Sequence, residues 1–199
     1  DSRQQSSEVS VTVNIEPPAD YDFDGGLFSW VSDMQLEVDG NVGDDVDDDG
    51  EVDNALGPLL DNLGNIVQGL DVNAEFRNGI GNGALAIGIG WPGDLNTVND
   101  QGVLIDAFDL VDADDNPESR DSYFVSEASF LPGTQVPRTR FANVVVDGGR
   151  VSAGPSTFRL VLPLGPIALN LEIRRAVLAG MIAMDEPGVS MSEGTLSGA

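Results

Sequence analysis

Nine residues, Asp45-Val46-Asp47-Asp48-Asp49-Gly50-Glu51-Val52-Asp53, carry the densest chemistry in the chain. They set carboxylates at positions 1, 3, 5 and 9 of a loop, with Gly50 at position 6. Alternate residues of such a loop turn inward, so oxygens converge while glycine takes the sharp bend, which is what a hard cation such as calcium requires. Glu51, at position 7, would add its backbone carbonyl. Position 12 is Leu56, where a helix–loop–helix calcium site needs a bidentate glutamate. The spacing is therefore closer to the DxDxDGxxD loops of extracellular calcium-binding repeats, with a last ligand drawn from Asp39, Asn41 or Asp44. Five carboxylates within seven residues (Asp47, Asp48, Asp49, Glu51, Asp53) repel one another, and a divalent ion would relieve that repulsion. The competing reading is a solvated acidic loop in which Asp53 only caps a helix.

Two further clusters repeat part of the pattern. Asp20, Asp22 and Asp24 precede Gly25, but positions 9 and 12 are Ser29 and Ser32, so a β-turn with solvated acids competes with a site. Asp112, Asp114, Asn116 and Glu118 alternate oxygen donors around Pro117. Carboxylates also suit glycoside hydrolysis, for which Glu127 and Glu172 are the candidates. Both lie in expected strands and could equally face solvent or pair with Arg159, Arg174 or Arg175. Trp30, Trp91, Tyr21 and Tyr123 could stack on a polysaccharide, although aromatic residues make up only 6% of the chain and core packing accounts for them as well.

Composition narrows the chemistry further. The 199 residues include 34 Asp plus Glu and nine basic residues, all arginine, for a net charge of −25. Histidine, cysteine and lysine are absent. That removes the imidazole base, the thiol nucleophile, the lysine Schiff base and the usual zinc and iron–sulfur ligands, and sets the expectation of a protein that is not an enzyme. The charge repels phosphate backbones, so no nucleic acid is expected as a partner. No apolar stretch of about 18 residues is present, so no transmembrane segment is expected. Asp1 in place of an initiator methionine sets the expectation of a processed chain.

The elements that must position these residues are mostly strands. Val9, Val11, Val13 and Ile15 alternate with polar residues up to Pro17 and Pro18. After residue 80 the expected strands are Ala84–Trp91, Val103–Leu110, Tyr123–Leu131, Arg140–Val146, Thr157–Leu162, Ile167–Ile173 and Ala176–Ile182, separated by Gly- and Pro-bearing turns. Between them, Leu56, Leu59, Leu60, Leu63, Ile66, Val67 and Leu70 keep a helical period, predicting an amphipathic helix over about 54–70, with a second short helix from Asp71 to Arg77. The fold class is mainly β, an antiparallel sandwich or open barrel with these helices. Residues 1–8 are expected as a flexible tail, and 9–199 as a single β-rich domain carrying the acidic loop and helix as an insertion at 39–79.

The segment Asp49-Gly50-Glu51-Val52-Asp53-Asn54-Ala55-Leu56-Gly57 resembles one found in exported proteins and lipoproteins of myxobacteria and related bacteria. Gly148–Leu162 and Gly194–Ala199 are similar to their later strands and terminal stretch, so the likeness runs over 36–199. Those proteins are functionally uncharacterised, so the resemblance implies a bacterial envelope or extracellular location and no particular activity. This chain lacks the lipid-bearing cysteine. The expectation is a secreted or cell-surface structural or adhesive domain stabilised by Ca2+. The alternatives are a carbohydrate-binding module and a surface-layer or filament subunit that self-associates through edge strands, including the N-terminal one.

Overall fold

Alternating apolar residues make strands, and a computed structural model of the chain shows nine of them among its described residues, 11–16, 26–37, 39, 50, 57–58, 62, 70–117, 122–164, 167–185 and 188–198. They are β1 (Val11–Glu16), β2 (Leu27–Leu36), β3 (Ile87–Trp91), β4 (Asn99–Asp112), β5 (Tyr123–Val125), β6 (Thr139–Asp147), β7 (Arg150–Leu164), β8 (Ile167–Asp185) and β9 (Gly188–Ser197). One helix, α1 (Val72–Gly81), precedes β3, and a 3₁₀ turn (Glu127–Ser129) follows β5. The sheet order is β3-β2-β1-β9-β8-β7-β6-β4-β5, and β3 also pairs with β4. Every pairing is antiparallel, so eight strands form a nearly closed barrel and β5 hangs outside β4. Of the two expected architectures, the barrel is the one adopted.

β1 is not an edge. It pairs with β2 on one side and β9 on the other, so its backbone is engaged within this chain.

The ring curves through bulges that also switch which residues face inward. In β2, Ser29 and Val31 are buried, then Met34 and Leu36, and the register against β1 shifts between Asn14 and Ile15. In β6 the buried set passes from Thr139 and Phe141 to Val144 and Val146 across Asn143, which has φ 59°. In β8 it passes from Ile173 to Ala176 and Leu178 across Arg175, φ 50°; in β9 from Met191 to Leu196 across Glu193, φ 51°. The inward set fills the bore, leaving a void of about 10 Å³ among Val31, Met34, Ile89, Phe141, Phe158, Leu178 and Leu196, room for one water at most.

α1 closes one end of the bore. Asp71 caps it by accepting from the Ala74 N–H at 2.9 Å, and its buried Val72 and Phe76 join the barrel core. The helix packs on both β2 and β7, which lie on opposite sides of the ring, so it crosses the mouth. At the other end, Ser29 Oγ donates to the Val189 carbonyl at 2.7 Å and accepts from Trp91 Nε1 at 3.1 Å, tying β2 to β9 past the end of β1.

A second apolar layer lies outside the wall. Phe28, Trp30, Phe108 and Tyr123 form it; Phe28 stacks on Phe108 at 6.2 Å and Trp30 meets Tyr123 edge-on at 4.9 Å. Phe28 lies over Gly88, where a Cβ would collide with the ring. The expected strand Tyr123–Leu131 is shorter than anticipated: it stops at Val125, because the Ser126 hydroxyl accepts from the Ala128 N–H at 3.2 Å and starts the 3₁₀ turn. The expected strands 167–173 and 176–182 are one, β8, bent at Arg175.

Candidate functional site

The acidic run lies in the sequence between the end of β2 and the start of α1. Where those ends meet, Asn73 makes two hydrogen bonds to one residue: its Oδ1 accepts from the Leu36 N–H at 2.8 Å and its Nδ2 donates to the Leu36 carbonyl at 3.1 Å. The end of β2 and the first turn of α1 are thus stitched together. Between them, Asp39 is described, its N–H donating to Glu37 Oε1 at 2.9 Å. Asn41, Asp44, Asp45, Asp47, Asp49, Glu51 and Asp53 lie outside the described residues, as do Asp20, Asp22, Asp24 and Glu118. Gly50 is described and has φ 87°, in the left-handed region. Among the described residues nothing stands within 4 Å of where its Cβ would be, and the backbone angle itself disfavours a side chain there. Of the expected leucine helix, Gly57, Pro58 and Asn62 are helical, with Asn62 Nδ2 donating to the Pro58 carbonyl at 2.8 Å; Leu70, its expected last residue, is described and not helical, and the other positions lie outside the described residues.

Asp112, Asp114 and Asn116 sit in the turn after β4. Asp112 Oδ1 accepts from the Asp114 N–H at 3.0 Å, and Asp114 Oδ1 accepts from the Asn116 N–H at 3.0 Å and from Ser122 Oγ at 2.8 Å. These carboxylates hold the turn in shape, the pattern expected of Asx turns. No three acids converge as a metal-holding group among the described residues.

The two acids considered for hydrolysis are separated in role. Glu127 opens the 3₁₀ turn and not a strand, a correction imposed by the Ser126 cap. Glu172 stands on β8 opposite Arg159 and accepts from it at 2.8 Å and from Arg174 at 3.0 Å. Hydrogen bonds from Arg174 and Arg159 hold its pKa below the usual carboxylate value. The rings considered for sugar stacking are buried: Trp30, Trp91 and Tyr123 are 5%, 0% and 6% exposed, packed in the two apolar layers, and Tyr21 lies outside the described residues.

A feature that the spacing of acids did not announce lies at the same end of the ring as α1. β6 and β7 pair only through Val145–Asp147 and Arg150–Ser152. Beyond that ladder Ser156 Oγ still donates to the Arg140 carbonyl at 2.6 Å, and past this contact lies a groove of about 350 Å³. Phe158, Leu160, Ala107 and Leu171 are among its apolar lining, and Asp109, Arg138, Arg159 and Glu172 supply its charge. Asp109 continues the inward series Val103, Ile105, Ala107 of β4; burial raises its pKa although the residue remains open to the groove. A carboxylate at the end of an apolar alternating series is the sequence signal that marks it. On the outer face beside it, Asp106 binds Arg140 through two contacts of 2.7 Å, which raises the arginine pKa further.

No protein-family model, no curated protein and no solved structure matches this chain.

Proposed function

We propose that the chain is a non-catalytic structural or adhesive domain of a bacterial envelope or extracellular protein, and that its acidic run binds calcium to stabilise the fold. The observation that carries this reading is the left-handed backbone of Gly50, φ 87°, at the position where a calcium loop of this spacing needs its sharp bend. Asp45, Asp47, Asp49 and Asp53 are the side-chain ligands proposed, with Glu51 giving its carbonyl and Asp39, Asn41 or Asp44 completing the shell. The stitch between Asn73 and Leu36 supports a stabilising role, since an ion bound between β2 and α1 in the sequence acts between two points already held together. The filled bore and the absence of His, Cys and Lys support a surface site built from oxygen ligands.

Thermal melts at fixed ionic strength test the reading. Sites of this class bind with Kd of about 10⁻⁴–10⁻³ M, so roughly 10 mM calcium adds about 1.4–2.7 kcal/mol to the folded state. That raises Tm by roughly 3–10 °C for a domain of this size. Asp47→Asn with Asp49→Asn removes most of the rise. Equal stabilisation by sodium chloride at matched ionic strength would overturn the reading.

A further inference from the structure

Four charged side chains line the groove past the Ser156–Arg140 contact, two of each sign: Asp109 and Glu172, Arg138 and Arg159. They are not equivalent. Arg159 and Glu172 are bound to one another at 2.8 Å and neutralise each other. Asp109 and Arg138 form no ion pair, with each other or with another side chain, among the described residues. One carboxylate and one guanidinium are left over.

Backbone contacts fix both residues beside one buried serine. The Asp109 N–H donates to Ser129 Oγ at 2.8 Å, and the Arg138 N–H donates to the Ser129 carbonyl at 2.7 Å. Ser129 is 4% exposed and itself lines the groove. Around these groups the wall is apolar, with Ala107, Phe158, Leu160 and Leu171 in it. Desolvation by that wall disfavours the Asp109 carboxylate, and an opposite charge brought by a ligand would restore what burial takes away. The volume of about 350 Å³ suits a small molecule. A groove with balanced charge does not select acids or bases as a class. A simple cation on Asp109 leaves Arg138 unanswered, and a simple anion on Arg138 meets repulsion from Asp109. A molecule with both charges on neighbouring atoms answers both residues.

We infer that this groove binds a free α-amino acid with an apolar side chain, its ammonium on Asp109, its carboxylate on Arg138 and its side chain against Phe158, Leu160 and Leu171. The apolar wall contributes affinity, and the two unpaired charges set orientation and reject molecules that carry only one of them. Binding is reversible and makes no covalent bond. The site is separate from the proposed calcium run, and its test uses no calcium.

The probe is L-leucine, titrated at fixed pH 7 and ionic strength into the ¹⁵N-labelled chain and followed by amide chemical shifts. Saturable shifts at Asp109, Ser129, Arg138 and Leu160 are expected. Three analogues test the site on the unaltered chain. Leucine amide lacks the carboxylate and N-acetylleucine lacks the ammonium, so each should bind about tenfold more weakly, as expected for loss of one charge-assisted contact. Glycine carries both charges and no side chain, and should also bind more weakly because the apolar wall goes unused. Arg138→Gln should lower the affinity for leucine to that for the amide, and Asp109→Asn to that for N-acetylleucine. The absence of saturable shifts up to about 10 mM leucine would overturn the assignment. So would a single-charge analogue binding as tightly as leucine, which would make the groove a site for one sign of charge, or glycine matching leucine, which would leave the apolar wall without a role.

Discussion

Asp106 and Arg140 face each other across β4 and β6, and their two 2.7 Å contacts let a nearly buried carboxylate survive on the barrel wall. Removing the arginine leaves the acid without that partner. Arg140→Gln is expected to destabilise by about 1–3 kcal/mol, discounted for the part of the guanidinium that meets water, and denaturant melts measure it. Asp109, in the groove, has the opposite relation to stability. Its folded pKa is raised above 3.8 by burial, so the ionised form costs folding free energy at pH above that raised value. The cost disappears once the pH falls below the ordinary carboxylate value, where the group is protonated in both states. Asp109→Asn should therefore raise Tm at pH 7 and have progressively less effect down to about pH 3.5. A pH-independent gain would show that the carboxylate is not its source.

At the scale of elements, Asn73 joins the helix that plugs the barrel to the last residue of β2. Asn73→Ala removes two hydrogen bonds to Leu36 and should cost about 1–3 kcal/mol, more than Asp71→Ala, whose loss of the helix cap is put at about 1 kcal/mol. Chemical denaturation of both variants checks the order. The expected strands Val103–Leu110, Arg140–Val146 and Thr157–Leu162 all fall inside β4, β6 and β7, although Asn143 switches the inward face of β6. In β2, β9 and β8 a bulge interrupts the pattern where fewer alternating residues flank it. Ser32 breaks the period of β2, and Glu193 that of β9, so neither Leu27–Leu36 nor Gly188–Ser197 is among the expected strands. Arg175 divided β8 in the reading, although one residue in the left-handed region only redirects the strand. The groove was illegible for a different reason: it arises from where β6 and β7 cease to pair, a fact of register that no local pattern records.

Over the whole molecule, a barrel with a filled bore carries a net charge of −25. Self-repulsion among the acids opposes folding, and salt screens part of it, so general ionic strength and specific calcium must be separated. The central claim is that one set of acids, not the surface at large, takes up the ion. Calorimetric titration of calcium into the chain at constant ionic strength tests it most directly. A saturable exchange with Kd of about 10⁻⁴–10⁻³ M is predicted, abolished by Asp47→Asn with Asp49→Asn and left intact by Asp112→Asn with Asp114→Asn. Non-saturating heats that the Asp47 and Asp49 changes leave untouched would contradict it.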